Sequence, residues 1–173
     1  GRIAIDPTNG DIVYVAAYGP VWNSGGERGI YKTTDGGKTW KQVLNVSEHT
    51  GFNEVMVDPR HPNIVYAAAH QRQRKVFTYI GGGPESALYK TTDGGKTWEN
   101  VLFVDEHTGA VDLALNPQNP EIIFAAFWSI DIKTWGLNSG GAGGGIYRSK
   151  DGGATWEALK DKGLPGGQSN PVG

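Results

Sequence analysis

The chain has 173 residues, the length of one ordinary domain. Its 16 Lys and Arg against 18 Asp and Glu give a formal charge of −2, without the cationic excess that nucleic-acid binding requires. It contains 27 Gly and no Cys, which excludes disulfides and thiolate metal sites. No apolar run approaches the roughly 20 residues that cross a bilayer, so membrane insertion is not expected.

The predicted elements of the N-terminal segment are strands joined by turns. Ile3 and Ile5 alternate with other residues, as in a pleated strand. Asp6-Pro7 then predicts a turn, and the apolar run 12–17 predicts a second strand that is buried on both faces. A third strand precedes the octet Thr33-Thr-Asp-Gly-Gly-Lys-Thr-Trp40, whose paired glycines predict a tight turn before a fourth strand.

The same order of elements recurs twice. The octet returns unchanged at 91–98 and with three substitutions at 149–156, so the aspartates at positions 35, 93 and 151 are separated by 58 residues each time. The turn at 6–7 recurs in phase at 58–59 and 116–117. Two markers that keep register over three copies indicate a structural repeat.

This repeat predicts an all-β fold, a β-propeller with four antiparallel strands in each blade. The predicted blades are residues 1–46, 47–104 and 105–160, and residues 161–173 are predicted to link to a following blade. Propellers usually have about 4–8 blades, so three cannot close a ring. We therefore expect the partners to be the remaining blades of a larger propeller or further copies of the chain, such as a second copy that completes a six-blade ring.

The octet resembles the Asp-box, or BNR repeat, with the pattern Ser/Thr-x-Asp-x-Gly-x-Thr-Trp. Together with segments 6–17, 29–35 and 105–113, it makes the chain similar to large bacterial propeller proteins of the sortilin type, also described as glycosyl hydrolase BNR repeat proteins. The resemblance implies a secreted or periplasmic location and places the octet between the third and fourth strands. Asp-boxes occur in proteins of unrelated activity, so the resemblance implies fold more than function.

We interpret the Asp-box residues as structural. The carboxylates of Asp35, Asp93 and Asp151 can accept backbone N–H groups within their own turn, and each box ends in a tryptophan that can pack on a neighbouring strand, namely Trp40, Trp98 and Trp156. Calcium binding is disfavoured because the octet lacks the further carboxylates of a calcium loop. No metal and no cofactor are expected.

Candidate ligand-binding residues lie in the segments between the second and third strands of each blade, which are predicted to be loops on one face. Aromatic rings beside cations or a carboxylate can stack on sugars or anchor a peptide. The alternative is that these aromatic rings only pack the loops onto the blades and that the basic run 72–75 is solvated. The candidates are Trp22, Arg72, Arg74, Tyr79, Trp128, Asp131 and Trp135.

Several carboxylates are predicted to approach the same face as these loops. A glycosidase needs two carboxyl groups about 5–10 Å apart across the scissile bond, and the sequence pairs none of them. These carboxylates are Glu48, Glu54, Asp105, Glu106 and Asp131, of which Glu48 and Glu106 each precede a histidine.

The sequence therefore predicts a segment of an exported Asp-box propeller that acts as a binding or scaffold module for a peptide, a glycan or a partner domain. The alternative is part of a glycoside hydrolase with catalytic carboxylates on the long-loop face, partly in other blades. Whether the protein is an enzyme, and which residues would be catalytic, stays open at this point.

Overall fold

The computed structural model describes residues 1–160 and 163–164, together with the backbone of residues 170–172. Regular structure in these residues consists entirely of β-strands, which confirms the predicted all-β class. Most of the segment predicted as a linker, 161–173, lies outside the described residues. The strand described within it, β16 (Asn170–Val172), pairs antiparallel with the strand at 136–139.

Three antiparallel sheets follow one another along the chain, each with the strand order of a propeller blade. The first blade contains β1 (Ile3–Asp6), β2 (Asn9–Tyr18), β3 (Arg28–Thr33) and β4 (Lys41–Leu44). The second contains β5 (Thr50–Val57), β6 (Val65–Lys75), β8 (Leu88–Thr91) and β9 (Glu99–Leu102). The third contains β10 (Gly109–Leu115), β11 (Ile123–Trp128), β14 (Gly145–Ser149) and β15 (Glu157–Ala158).

The hydrophobic core lies between the blades and not within them. Side chains alternate across each second strand, so Tyr66 and Ala68 pack towards the third blade while Val65 and Ala67 pack towards the first. These four residues are at most 1% exposed. Of the three apolar runs predicted to be buried on both faces, the one on β6 is buried because it serves two cores, whereas in the run on β11 Phe124 is 37% exposed.

The blades are also joined by hydrogen bonds that recur at the 58-residue period. The Tyr14 hydroxyl and the Lys32 ammonium both donate to the carbonyl of Gly94 in the next blade, at 3.1 and 2.8 Å. Tyr66 and Lys90 make the equivalent bonds to the third Asp-box. A tight turn of one blade is thus held by two side chains of the blade before it.

The segments predicted as loops between second and third strands contain additional strands, which is a correction to that prediction. Beyond the second blade, β6 continues through Arg72–Lys75 and pairs with β7 (Thr78–Gly81). In the third blade, β12 (Ile130–Lys133) and β13 (Gly136–Ser139) form a second hairpin, and β7 pairs with β12. We call these four segments the extension sheet. The alternation of Ile and polar residues over 130–133 suits a strand with one solvated face.

Candidate functional site

The extension sheet places the candidate residues on two opposite faces. Paired residues of antiparallel strands point to the same side, and the side alternates along each strand. Arg74, Tyr79 and Ile132 form one cross-strand row. The neighbouring row, Gln73, Ile80, Asp131 and Asn138, therefore points to the other side.

On the first face, two arginines lie against aromatic rings. The Arg74 guanidinium carbon is 5.6 Å from the centre of the Trp22 ring and 5.8 Å from that of Tyr79. The Arg72 guanidinium carbon is 4.6 Å from the centre of the Tyr18 ring. These distances are within the range of cation–π attraction. The structure thus brings together four of the seven candidates, and we call this group with Tyr18 the arginine face.

The loop that carries Trp22 is held in place by a buried arginine. Arg28 is 2% exposed, and its guanidinium donates to four backbone carbonyls of the loop: those of Tyr18 at 2.8 Å, Gly25 at 3.0 Å, Asn23 at 3.0 Å and Pro20. The backbone N–H of Arg74 donates to the carbonyl of Val21 at 2.9 Å. The loop of the first blade is therefore fixed to the edge of β6.

On the other face, the extension sheet forms one wall of a cavity of about 630 Å³. The connection between the second and third blades closes it with Glu106 and His107. The cavity therefore lies between two kinds of segment that were predicted to share one face of the propeller: those between second and third strands, and those that connect successive blades. Its polar side chains include Gln71, Gln73, Glu106, Asp131, Lys133 and Asn138.

Asp131 is the candidate carboxylate in this cavity. Its Oδ2 lies 3.0 Å from the Lys133 ammonium. Its Oδ1 is shielded from solvent and accepts no hydrogen bond from the described residues. The Asp131 side chain is 33% exposed beside Lys133, and the glutamate of the cavity, Glu106, is also exposed.

The glycines after β7 allow the cavity to close. Gly82 has a φ of 118°, and a Cβ there would collide with the backbone carbonyl of His107. Its N–H donates to the carbonyl of Gln71 at 2.9 Å. A larger residue at this position would push the blade connection, and with it Glu106, away from the extension sheet.

A histidine is buried between the second and third blades, behind the extension sheet that forms one wall of the cavity. His70 is 4% exposed, and its Nδ1 accepts a hydrogen bond from the Asn53 side-chain amide at 2.9 Å. Its Nε2 has no partner among the described residues and lies against Gly109, where a Cβ would clash with the ring. Burial, and then the nearby Arg72 charge, lower the pKa of His70 to about 4.

The two remaining candidates lie away from both sites. Trp128 is at the end of β11, 37% exposed, and its indole N–H donates to the Ser139 hydroxyl at 3.1 Å. Trp135 is 82% exposed in the turn of the β12–β13 hairpin. It lies beside the turn of the β6–β7 hairpin, where Val76 and Phe77 are also exposed. Neither tryptophan lines the cavity.

The three Asp-boxes share the hydrogen bonds that the aspartate accepts from the threonine and from the first residue of the box. In the second box, Asp93 Oδ1 accepts from the Thr91 hydroxyl at 2.7 Å and from the backbone N–H of Thr97 at 2.9 Å, while Oδ2 accepts from the Thr97 hydroxyl at 2.6 Å. Such bonds favour the ionised carboxylate. They lower the pKa of Asp35 and Asp151 to about 2, with the bond from the threonine hydroxyl as the largest cause.

The other predicted carboxylates do not reach the cavity. Glu54 is 8% exposed on β5 and lies 3.4 Å from the Arg2 guanidinium; burial raises its pKa. Glu48 lies 3.6 Å from the His49 ring. Asp105 accepts the backbone N–H of His107 at 2.8 Å and shapes its own turn.

The sequence did not single out Gln73, Lys133 and Asn138 as site residues, although all three line the cavity. The alternation of Ile and polar residues over 130–133 could have indicated Lys133, because in a strand it predicts which side chains share a face with Asp131. In the described part of the chain, no three His, Asp or Glu residues are grouped as metal ligands would be. No helix in those residues is long and apolar enough to cross a membrane.

The family model described as "Sortilin, neurotensin receptor 3" matches residues 28–164, most of the chain. The chain belongs to the sortilin/Vps10 family. This sortilin-type propeller is also similar to glycoside hydrolases. It is 27% identical over 175 residues to a xyloglucanase of Paenibacillus sp, which covers 91% of the chain and 16% of that relative.

Two further similarities are also to glycoside hydrolases. Over 107 residues, the sortilin-type chain is 33% identical to a probable oligoxyloglucan-reducing end-specific xyloglucanase of Neosartorya fischeri, covering 58% of the chain and 12% of that relative. The crystal structure of the Niastella koreensis GH74 enzyme superposes with a TM-score of 0.59 at 22% identity, over 92% of this chain and 22% of that one. That likeness shows the propeller fold. The chain spans about a fifth or less of each relative's length.

Proposed function

We propose that this sortilin-type segment binds a glycan in the cavity beside the extension sheet, as part of an exported propeller. The observation that carries the proposal is the set of amide, carboxylate and ammonium groups that converge on one cavity of about 630 Å³. Sugar hydroxyls both donate and accept hydrogen bonds, so a ligand of this kind can satisfy such a mixed set. The similarity to xyloglucanases supports a β-glucan ligand.

Three side chains in one cross-strand row would make the polar contacts. Gln73, Asp131 and Asn138 occupy one face of three strands, which fixes their spacing better than a loop would. The partly exposed carboxylate of Asp131, paired with Lys133, adds an acceptor for a sugar hydroxyl. The amides of Gln73 and Asn138 each add a donor and an acceptor.

Calorimetric titration of the protein with xyloglucan oligosaccharides tests this proposal. We expect saturable binding that weakens by about fivefold in Asn138→Ala and Gln73→Ala, since each variant loses a hydrogen bond worth about 1 kcal/mol. Lys38→Ala, in the turn of the first Asp-box, is the matched control and should bind like the unaltered protein. If the cavity variants bind like the control, the ligand site lies elsewhere.

Hydrolysis is the second candidate function, and it rests on the presence of two carboxyl groups, Glu106 and Asp131, in the same cavity. Glycosidases of both stereochemical classes use a pair of carboxyl groups. Release of new reducing ends from xyloglucan should then be lost in Asp131→Asn and in Glu106→Gln, with binding retained. Turnover that survives both substitutions would exclude this pair.

The same proposal includes the location and the partners. We infer that the protein acts outside the cytoplasm, in agreement with the resemblance to exported propellers, and that further blades or a second copy cover the open sides of the first and third blades. The Asp-boxes serve the fold, and their tryptophans fill the junctions between blades. Fractionation of the native host and light scattering on the purified chain test the location and the self-association.

A further inference from the structure

Arg72 and Arg74 are two positions apart on β6, so their side chains leave the same face of the extension sheet about 7 Å apart along the strand. Each guanidinium is oriented by a ring: Arg72 by Tyr18, and Arg74 by Trp22 and Tyr79. An aromatic ring contacts the flat surface of a guanidinium and leaves its N–H edge free. The arginine face therefore holds two oriented sets of hydrogen-bond donors.

These donors lack anionic partners. Within residues 1–160, neither Arg72 nor Arg74 has an ion pair or a side-chain hydrogen bond. The contrast with other arginines is clear, because Arg28 is bonded to four carbonyls and Arg148 donates to Glu157 at 2.8 Å.

The positive charge of this face also affects its neighbours. Burial, and then the Arg72 charge, lower the pKa of Arg28, and the same two causes lower the pKa of His70. Arg72 is half-buried and Arg74 is exposed, so both can reach a molecule that approaches from solvent.

We propose that the arginine face binds the carboxylate groups of an acidic polysaccharide, a chain that contains uronic acids. Arginine forms paired hydrogen bonds with a carboxylate, and these charge-assisted bonds are about twice as strong as neutral ones. A neutral glycan would leave both charges without a counter-ion. The inference rests on the proposed glycan-binding function, but it concerns the opposite face of the extension sheet; of the arginine face, Arg72 also borders the cavity.

The exposed indole favours a sugar over an acidic peptide. Trp22 is 56% exposed, so its ring lies against Arg74 while part of it remains open to solvent. A pyranose ring can stack on that open part while its carboxylate reaches a guanidinium. A peptide made of acidic residues alone would use the charges but would leave the open part of the indole without an apolar contact.

Binding of polygalacturonate, compared with neutral xyloglucan oligosaccharides, tests the inference. We expect polygalacturonate to bind, to weaken as salt is added, and to bind about tenfold more weakly to Arg72→Gln and Arg74→Gln. Arg60→Gln, an exposed arginine in the turn at 58–60, is the matched control. Arg74→Lys keeps the charge but loses the fork of donors and should give an intermediate affinity. Melting temperatures show which variants remain folded.

Three results would overturn the inference. The first is equal binding of polygalacturonate to Arg60→Gln and to the two glutamine variants, and the second is tighter binding of polyglutamate than of polygalacturonate. The third is binding of xyloglucan, sensitive to Asn138→Ala, without any binding of polygalacturonate, which leaves the proposed function intact. Loss of the proposed function has a different signature, because xyloglucan then fails to bind while polygalacturonate still depends on the two arginines.

Discussion

The Tyr66 hydroxyl donates to the carbonyl of Gly152, 86 residues further along the chain, at 2.9 Å. The Lys90 ammonium donates to the same oxygen at 2.8 Å. At the equivalent positions the third blade has Phe124 and Arg148, and Arg148 is bonded within its own blade. The contacts of Tyr66 and Lys90 are therefore specific to the junctions within this segment, and a neighbour of the third blade would be held by other contacts.

We expect Tyr66→Phe to lower the free energy of unfolding by about 1 kcal/mol, the net contribution of one hydrogen bond. Lys90 still satisfies the Gly152 carbonyl in this variant, so the loss should not be larger. Chemical denaturation measures the change. Tyr79→Phe, which alters a tyrosine outside the junction, is the control; a Tyr66→Phe variant as stable as this control would mean that the hydroxyl contributes nothing.

Two Asp-box tryptophans provide a matched comparison of packing. Trp98 packs against the core between the first and second blades, whereas Trp40 is 45% exposed and packs against neither core of the described residues. We expect Trp98→Ala to cost about 3–5 kcal/mol, as for large-to-small changes in a core, and Trp40→Ala to cost clearly less. Equal melting temperatures for the two variants would contradict an interblade role for Trp98.

The buried His70 predicts a loss of stability in mild acid. Its pKa is about 4 in the folded chain against an ordinary 6.5, so the unfolded chain binds the extra proton first. Stability is therefore complete above about pH 6.5 and decreases as the pH falls towards 4, by up to about 3 kcal/mol. Melting temperatures measured across this window should fall less steeply for His70→Gln. Parallel curves for the two proteins would show that His70 does not cause the change.

The contacts of Arg28 predict that its substitution affects both the loop at 19–27 and the stability of the whole protein. Arg28→Ala leaves four loop carbonyls without their donor, and hydrogen bonds to a charged group contribute about 1.5–3 kcal/mol each. We expect a lower melting temperature and faster protease cleavage between residues 19 and 27. Arg2→Ala, at an exposed position, should leave the cleavage rate unchanged. Intact protection of the loop in Arg28→Ala would mean that its contacts to β6 suffice.

The repeat allowed the blades to be predicted from sequence alone, because Trp98 and Trp156 recur at a fixed spacing and only a repeated structure requires that. The joining of two hairpins into the extension sheet could not be predicted, because β7 and β12 pair across blades through residues such as Tyr79 and Ile132 that are 53 positions apart. Alternation of apolar and polar residues along a sequence predicts a strand, but it does not predict which other strand pairs with it. The split of the candidates between the arginine face and the cavity depends on that pairing, so it required the structure.

The location of the cores between blades has a consequence for how such chains arise. The second blade contributes to the core on either side of it, so a duplicated unit inserted next to it would form a new interface of the same kind and leave the others intact. Sequence drift in the inserted copy then falls most freely on its outer hairpin. New ligand preferences can therefore evolve on this scaffold without any change to the parts that hold it together.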